Sequence, residues 1–492
     1  MTKRLALVLI AALLAMTFAV SYAEDSEPIK LTFLTNVNVD TEGYDANDNP
    51  YVEYIEKCNN VDLTIISEAT NYNQKVSTIL ASGTYPDYIL TSVRNDALKW
   101  AEEGILLPLD EYIDKTEYLK TSVSDAAWSL CKYDGKTYCI PMERYDSTPY
   151  MSFVRKDYVE NLGIDINDVQ TLDDWYELLY KITYEDPDGN GINDTYGMGA
   201  IGGGSKMTDS FQLYSFLDYF DAAKAQYVDG ELLPFYLTEN YKEWLHFMNK
   251  LYTDGILDVE YVTNTSAQFY QKATNGDIGY WTCFWSIQEI SGNGGSRSDL
   301  IAVKPPVRED GTQSGLRYIA PNRHYIVVTN QCENPEAVVK LMDWAHSEEG
   351  GVFVHAGLEG WDYDLVDGEV IIRDGRKTKN WAWRFITLGV QKTKLDESLT
   401  PIMAQAWGDD GLAALAMSAE LGFYDDVTMT APYFAELADY DVESKAIAFR
   451  DNAIMGKVDI DAEWDNYVAE WRQAGGDVWI KCYTEYYEEN YK

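Results

Sequence analysis

Apolar and polar residues alternate near the start of the chain in a pattern that predicts a β-strand. Ile29, Leu31 and Phe33 occupy every second position and fit one face of such a strand. The segments that follow are a helix at residues 50–57, a strand carrying Val61, Leu63 and Ile65, a helix at residues 72–82 stopped by Gly83, and a strand at residues 88–91. Because strands that alternate with helices favour parallel pairing, this order predicts an α/β lobe with a largely parallel sheet.

Further along, the apolar residues follow the helical period instead. Those that share one helix face are Leu172, Trp175, Leu178, Leu179 and Ile182. Thr171 precedes this face and Asp174 stands at its third position, a spacing that resembles a capping box. The sequence therefore predicts an amphipathic helix that begins after Thr171.

A second α/β signature occurs late in the chain. Residues 325–329 predict a strand, and Asn334, Pro335 and Glu336 predict the start of a helix that runs to residue 347. The glycines at 350 and 351 are expected to close that helix, and the region beyond about residue 380 is expected to be mainly helical. With 492 residues in all, the chain suits two lobes better than a single core.

The N-terminus has the pattern of an export signal. Lys3 and Arg4 precede an apolar run at residues 5–20, and Ala23 marks the expected cleavage point, so that residues 1–23 form the signal peptide. The alternative is an uncleaved membrane anchor, but the run is shorter than the roughly 20 apolar residues that a spanning helix needs. The first cysteine is Cys58, so the signal offers no cysteine for lipid attachment. We expect the mature protein outside the cytoplasm.

The charge balance narrows the possible partners. The formal net charge is −42 at pH 7. Such a surface repels phosphate backbones and anionic lipids, which argues against nucleic acid as a partner. A neutral ligand is therefore favoured over a polyanionic one. Separately, we expect the protein to be a monomer.

One loop has the spacing of a calcium site. Oxygen donors for a hard cation recur at positions 1, 3, 5, 7 and 9 of such loops, with glycine sixth. Here Gly191 is the sixth residue, and the five donor positions are Asp186, Asp188, Asn190, Ile192 through its carbonyl, and Asp194. Gly197 replaces the glutamate that a calcium sensor needs at position 12, so a structural calcium site is predicted and a sensor is not. The alternative is a solvated turn that binds nothing.

Two of the six cysteines lie close together in the sequence. Cys131 and Cys139 flank Asp134 and Gly135, which predict a β-hairpin turn. A two-residue turn would place Cys131 opposite Tyr138, so a disulfide would need a bulge or a longer loop. Small buried thiols are the alternative.

Taken together, several short segments resemble a known family, the extracellular solute-binding proteins of ABC importers, and in particular its branch of large oligosaccharide-binding proteins. These segments are residues 85–89, 103–113, 135–141, 153–158, 162–163, 171–175, 334–337, 347–350, 357–363 and 475–476, with Trp471. They occur in the family's order along nearly the whole mature chain. The resemblance implies a two-lobed periplasmic-binding-protein-like α/β fold, in which each lobe is a mostly parallel sheet flanked by helices.

The same resemblance implies where the chain crosses between the lobes. The expected crossings lie near Glu143, Pro321 and Tyr363. The N-terminal lobe would comprise residues 24–143 and 321–362, and the C-terminal lobe residues 144–320 and 363–492, with the loop at 186–197 in the latter. Alginate-binding members carry a structural calcium ion in a loop of this pattern. This sequence departs from them at Thr195, where the family often has an acidic residue, so calcium binding is expected to be weaker or to use water as a ligand.

Residues beside the expected crossings are candidates for ligand contact. Sugars present apolar faces and hydroxyl rims, so aromatic planes and polar side chains in an interlobe cleft suit them. The candidates are Trp281, Trp285, Arg144, Tyr145, Asn322, Arg323, Trp361 and Tyr363, with Trp383 and Trp407 in reserve. Each has a structural alternative, as a core tryptophan or a hinge ion pair.

The sequence contains little that would support a catalytic function. The glycine-rich residues 197–202 follow a polar loop rather than a strand, and the sequence contains neither a serine elbow nor a zinc-binding helix motif. A secreted glycoside hydrolase is the alternative, because a catalytic carboxylate pair is defined by its separation in space. The resemblance favours a receptor that captures an oligosaccharide and delivers it to the permease subunits of an ABC transporter.

Overall fold

The computed structural model describes residues 27–36, 45–68, 70–143, 151–204, 206–282, 299–317, 321–373, 405, 412–414 and 416–492. Across these ranges, no helix combines the length and the apolar character needed to cross a membrane.

Strands and helices alternate through most of the described chain. The strands are β1 (Ile29–Thr35), β2 (Val61–Ser67), β3 (Tyr88–Thr91), β4 (Lys132–Tyr133), β5 (Lys136–Thr137), β6 (Cys139–Glu143), β7 (Ser152–Arg155), β8 (Tyr196–Met198), β9 (Gln226–Val228), β10 (Glu231–Leu233), β11 (Ile278–Thr282), β12 (Leu300–Val303), β13 (Leu316–Arg317), β14 (Asn322–Val328), β15 (Tyr363–Val366), β16 (Glu369–Ile372) and β17 (Gly422–Phe423). The helices are α1 (Pro50–Asn59), α2 (Tyr72–Ser82), α3 (Arg94–Glu102), α4 (Asp110–Ile113), α5 (Leu119–Ser122), α6 (Asp125–Ser129), α7 (Lys156–Asn161), α8 (Leu172–Tyr184), α9 (Glu239–Thr253), α10 (Ser266–Asn275), α11 (Pro335–Ala345), α12 (Glu348–Ala356), α13 (Asp426–Thr430), α14 (Glu443–Ile454), α15 (Ile460–Trp471) and α16 (Asp477–Asn490).

A five-stranded sheet forms in the order β2-β1-β3-β14-β6. β1 pairs in parallel with β2 and β3, whereas β14 runs antiparallel to β3 and β6. The α/β class and the parallel pairing predicted for the first three strands are therefore confirmed, and four of the five strands, β1, β2, β3 and β6, run in one direction. Only β14 is reversed, because it enters the sheet at the edge where β6 leaves it.

A four-stranded sheet forms in the order β12-β7-β11-β8 and is also mixed. β7 is antiparallel to both β11 and β12, and only the pairing of β11 with β8 is parallel. Buried aromatic residues fill the layer between this sheet and its helices. Trp175 of α8 lies 5.1 Å from Tyr280 of β11, ring centroid to ring centroid, and Trp471 of α15 belongs to the same buried cluster.

We refer to the buried residues around the five-stranded sheet as the first core and to those around the four-stranded sheet as the second core. In the first core, the rings of Phe33 and Tyr88 stack at 4.4 Å. The second core includes apolar side chains of α8 and α9 and of the C-terminal helices α14, α15 and α16. The lobe boundaries at residues 143, 321 and 363 stay predictions.

Local capping signals set several helix ends as the sequence predicts. The Thr171 hydroxyl accepts from the Asp174 N–H while the Asp174 carboxylate accepts from the Thr171 N–H, which confirms the capping box of α8. α2 ends at Gly83, whose φ of 72° suits glycine. At α1, the Asn49 side chain accepts from the N–H groups of Tyr51 and Val52.

The prediction of one helix from Pro335 to residue 347 closed by two glycines is wrong. α11 ends at Ala345, and Ser347 instead caps a new helix, α12, by accepting from the Gly350 N–H at 3.1 Å. Gly350 lies within α12, where a Cβ atom would come 2.0 Å from the Trp344 carbonyl oxygen. Glycine is present here because two helices approach closely, not because a helix ends.

The hairpin of β4 and β5 has the register that its two-residue turn predicts. The Tyr138 N–H donates to the Cys131 carbonyl at 2.9 Å, so these two residues face each other. Cys131 and Cys139 are both fully buried, and both are free thiols in the structure. Burial and its contact with Cys139 raise the pKa of the Cys131 thiol, which keeps it protonated.

Candidate functional site

The carboxyl ends of four strands meet at one edge of the five-stranded sheet. Thr91 at the end of β3 lies opposite Tyr325 of β14, and Glu143 at the end of β6 lies opposite Asn322, the first residue of β14. β1 and β2 end at the same edge because they run parallel to β3. Open α/β sheets bind ligands beyond the carboxyl ends of their strands, which makes this edge a candidate binding surface.

The four-stranded sheet has a corresponding edge. Thr282 ends β11 and Val303 ends β12, and both lie opposite Ser152, which begins β7. β6 ends at the first edge and the next strand, β7, begins at the second, whereas β12 ends at the second edge and β14 begins at the first. Both sheets therefore direct the ends of successive strands toward these two edges.

Buried hydroxyl groups fix the strand ends at the second edge. Thr282 Oγ1 is hydrogen-bonded to Ser152 Oγ at 2.8 Å and to Ser215 Oγ at 2.6 Å. The Tyr280 hydroxyl donates to Ser152 Oγ at 3.0 Å. Because each hydroxyl has a partner, this group can hold β7, β11 and the 3-10 segment Met207–Phe220 in fixed relative positions.

Trp281 does not have the exposed face that stacking on a sugar requires. It is 0% exposed and packs in a buried cluster with Phe153 and Phe269. All five residues of β11 are buried, because this strand lies between β7 and β8 and is covered on both faces. The expectation of direct ligand contact by Trp281 is corrected in favour of its structural alternative.

Asn322 is likewise engaged within the first core. Its side-chain amide donates to the Ala127 carbonyl at 3.0 Å, and the residue is 5% exposed. Beside it, the Glu143 carboxylate accepts from the Ser124 N–H at 2.9 Å. These contacts attach α6 to the ends of β6 and β14, and they favour a structural role for Asn322.

Five of the other candidate residues, Arg144, Tyr145, Trp285, Trp383 and Trp407, lie outside the described residues, as does the side chain of Arg323. Their roles stay predictions.

Trp361 is an exposed aromatic residue in a turn that contacts the first core. Its side chain lies in the turn between α12 and β15 and is 56% exposed. The next residue, Asp362, accepts from the Tyr51 hydroxyl at 2.9 Å and from the Leu358 N–H at 2.9 Å. Tyr51 belongs to the first turn of α1, which follows β1 at its carboxyl end. The turn that carries Trp361 is therefore attached to the start of α1.

Gly357 allows this turn to close. Its φ of 95° lies in the left-handed region, and a Cβ atom there would come 2.1 Å from the Asp362 carboxylate. Tyr363, the other candidate in this turn, is 9% exposed and begins β15. Of the pair, Trp361 is the residue whose ring is accessible to a ligand.

The loop predicted to bind calcium is closed by its own amide groups. The Asn190 side-chain amide donates to Asp188 at 2.8 Å and to Asp194 at 3.2 Å, and the Asn190 N–H donates to Asp186 at 3.0 Å. The side chain of Ile192 is exposed, which is compatible with a donor role for its carbonyl. All of these donors are oxygens, a set that suits a hard cation.

The described residues contain no group of three or more His, Cys, Asp or Glu side chains arranged to hold a metal ion. The chemistry of the loop thus fits calcium, whereas its observed geometry is that of an internally hydrogen-bonded turn. Asp277, which the loop motif does not include, lies beside this turn: its carbonyl accepts from the Tyr196 N–H at 2.8 Å. Burial and the negative charge of Asp194 raise the pKa of the Asp277 carboxyl.

The class of protein follows from a comparison of families. A model of the bacterial extracellular solute-binding proteins matches residues 40–352, which is more than half of the chain. The chain therefore belongs to this family. The family is one of solute-binding proteins, so the hydrolase alternative gains no support.

Two relatives match the chain along most of its length. It is 23% identical over 490 residues to the fructooligosaccharide ABC transporter substrate-binding protein FusA of Streptococcus pneumoniae serotype 4 (strain ATCC BAA-334 / TIGR4), covering 90% of this chain and 88% of FusA. It is 23% identical over 464 residues to lipoprotein LipO of Bacillus subtilis (strain 168), covering 86% of this chain and 85% of LipO.

Solved structures share the fold. FusA in complex with kestose matches with a TM-score of 0.70 at 19% identity, over 94% of this chain and 99% of FusA. An EF-hand mutant of FusA in complex with fructo-nystose matches at 0.72 and 18% identity, over 94% and 99%. The alginate-binding protein AlgQ2 without calcium ion matches at 0.69 and 18% identity, over 94% and 98%. These similarities confirm the two-lobed α/β fold that the sequence predicts.

Proposed function

We propose that this protein is the extracytoplasmic substrate-binding component of an ABC importer and that it captures an oligosaccharide between its two cores. The observation that carries the proposal is the pair of carboxyl sheet edges at which β6, β7, β12 and β14 begin or end, together with the exposed ring of Trp361 in a turn that is hydrogen-bonded to α1. The match to FusA, a fructooligosaccharide-binding protein, along 90% of the chain supports the saccharide class.

The physical chemistry of the surface favours a neutral saccharide. With a formal net charge of −42, the protein repels polyanionic ligands at long range. Ligand contacts made from both edges are complete only when the two cores approach each other. Binding would therefore shift the protein toward a closed arrangement, which the permease subunits would then receive.

The proposal also covers the export of the protein and its oligomeric state. Residues 1–23 are proposed to act as a signal peptide cleaved after Ala23, in keeping with the extracellular family. The mature protein is proposed to act as a monomer. LipO is named a lipoprotein, whereas the first cysteine here is Cys58, well beyond the signal.

A thermal-shift screen of the mature protein tests this function. We expect neutral oligosaccharides such as kestose to raise the melting temperature, because a ligand that binds only the folded protein stabilises it. Acidic oligosaccharides and peptides serve as comparison sets. Stabilisation by peptides alone would overturn the saccharide assignment, and recovery of a cleaved saccharide would favour the hydrolase.

We further propose that the loop at residues 186–194 binds calcium through Asp186, Asp188, Asn190, the Ile192 carbonyl and Asp194. Support comes from the all-oxygen donor set and from the EF-hand mutant among the FusA structures. To bind the ion, the carboxylates would have to give up their hydrogen bonds with amide groups of the loop and coordinate calcium instead. Binding would also require the Asn190 side chain to present its oxygen, because its amide nitrogen now contacts Asp188 and Asp194.

Calcium added to chelator-treated protein should raise the melting temperature. At a free concentration of 100 times the dissociation constant, the gain is about 2.7 kcal/mol in the free energy of unfolding. Asp188→Ala should abolish the response, whereas Asp168→Asn, at an exposed aspartate of a short 3-10 helix outside the loop, should retain it. A melting temperature that responds to neither chelator nor calcium would remove the site.

A further inference from the structure

Helix α3 carries an arginine that contacts both cores. Arg94 is the first residue of this helix, which follows the carboxyl end of β3. Its Nε donates to the Leu130 carbonyl at 2.9 Å, within the first core's own part of the chain. Its Nη1 donates to the Ala431 carbonyl at 2.9 Å, more than three hundred residues away in the sequence. One guanidinium group therefore joins two carbonyl oxygens from distant segments.

Ala431 belongs to the part of the chain that packs with the second core. It is 1% exposed and follows α13, where its N–H donates to the Val427 carbonyl. α13 contacts α16, which belongs to the second core. Tyr433, two residues after Ala431, is influenced electrostatically by the other end of α3. Burial and the negative charges of Glu102, the last residue of the helix, and Glu103 raise the pKa of its hydroxyl. The first residue of α3 therefore contacts this C-terminal segment directly, and its last residue lies within electrostatic range of Tyr433.

The carboxyl of Asp96 in α3 is influenced by the positive charge of Lys206, which follows β8. Burial raises the pKa of the Asp96 carboxyl, while the positive charge of Lys206 opposes that shift, with a smaller effect from Lys99. Lys206 lies after β8, in the segment that leaves the carboxyl edge of the four-stranded sheet. Asp96, two residues after Arg94, is therefore within electrostatic range of Lys206.

We propose that Arg94 is a positioning residue that holds the two cores in their closed arrangement and so retains the captured ligand. For ligand retention the proposal rests on the oligosaccharide-binding function. The planar guanidinium presents several N–H donors in fixed directions, so it can satisfy two carbonyls at once. When the cores separate, Arg94 keeps Leu130 and loses Ala431, whose carbonyl passes to water. The contact to Ala431 is therefore the one that the proposal makes dependent on how the two cores are arranged.

Arg94→Ala should open the ligand-free protein and release ligand faster. Small-angle X-ray scattering should give a larger radius of gyration for the variant than for the wild type. Dissociation of kestose, followed by stopped-flow fluorescence, should be about tenfold faster, whereas the association rate should change little. Arg94→Gln, which keeps one amide donor but no charge, should give intermediate values and covers the case in which the alanine variant is poorly folded.

Arg472→Ala is the matched control, because Arg472 donates to Asp477 at 2.8 Å within the second core alone. It should leave both the scattering curve and the dissociation rate unchanged. Superimposable scattering of the wild type and both Arg94 variants, with equal dissociation rates, would overturn the proposal. If wild-type protein binds no saccharide at all, the proposed function fails, and the scattering of the ligand-free variants still decides the role of Arg94.

Discussion

Replacing Arg450 with methionine is expected to lower the free energy of unfolding by about 3–5 kcal/mol, because it leaves a buried carboxylate without its partner. Arg450 is 0% exposed, and its Nε donates to Asp451 at 2.8 Å. The same guanidinium donates to the Tyr214 hydroxyl at 2.9 Å and to Ser210 Oγ at 3.0 Å. The Gly203 N–H donates to the other Asp451 oxygen at 3.1 Å, so the network also fixes the segment that follows β8 at the second edge.

Urea denaturation followed by tryptophan fluorescence measures this loss. Arg472→Ala serves again as the control, since its ion pairs are partly exposed, and such pairs contribute at most about 1 kcal/mol. The methionine variant should also bind saccharide more weakly, because Asp451 holds Gly203 in the segment that follows β8 at the second edge. A loss below 1 kcal/mol for Arg450→Met would show that the buried network contributes little to the second core.

Trp361→Ala is expected to weaken saccharide binding without lowering stability. Covering one face of an indole ring with a sugar removes about 80 Å² of apolar surface from water, which corresponds to about 2 kcal/mol or roughly thirtyfold in the dissociation constant. Because the side chain is 56% exposed, its removal should change the free energy of unfolding by about 0.5 kcal/mol or less. Calorimetric titration and thermal melting of the same preparations measure both quantities.

Two comparison variants sharpen this prediction. Tyr180→Ala removes an aromatic ring that is 44% exposed on α8, and it should leave affinity unchanged. Trp281→Ala removes a fully buried ring and should cost about 3–5 kcal/mol in stability. An unchanged dissociation constant for Trp361→Ala, with a saccharide that the wild type binds, would exclude Trp361 from the site.

Elements set by neighbouring residues could be predicted well from the sequence. The bounds of α2 match the prediction because Gly83 in a left-handed conformation ends the helix locally. The capping box at Thr171 and Asp174 needs only residues three apart. The register of the hairpin at Cys131 and Tyr138 follows from a two-residue turn.

Features set by distant parts of the chain could not be predicted in this way. Trp281 follows an apparent strand and looked available to ligand, but its burial depends on β7 and β8 pairing on either side of β11. Gly350 has the sequence appearance of a helix end, whereas its role is set by the carbonyl of Trp344. Arg94 carries no motif at all, since its partner carbonyl at Ala431 is reached only in the folded chain.

Isothermal titration calorimetry of the mature protein with kestose and other neutral oligosaccharides, followed by chromatography of the recovered sugar, tests the central claim most directly. The account predicts saturable binding at one site, and it predicts that the sugar is recovered intact. Recovery of shorter sugars would contradict it in favour of a hydrolase, and the absence of binding across neutral oligosaccharides would contradict the assignment of a saccharide ligand.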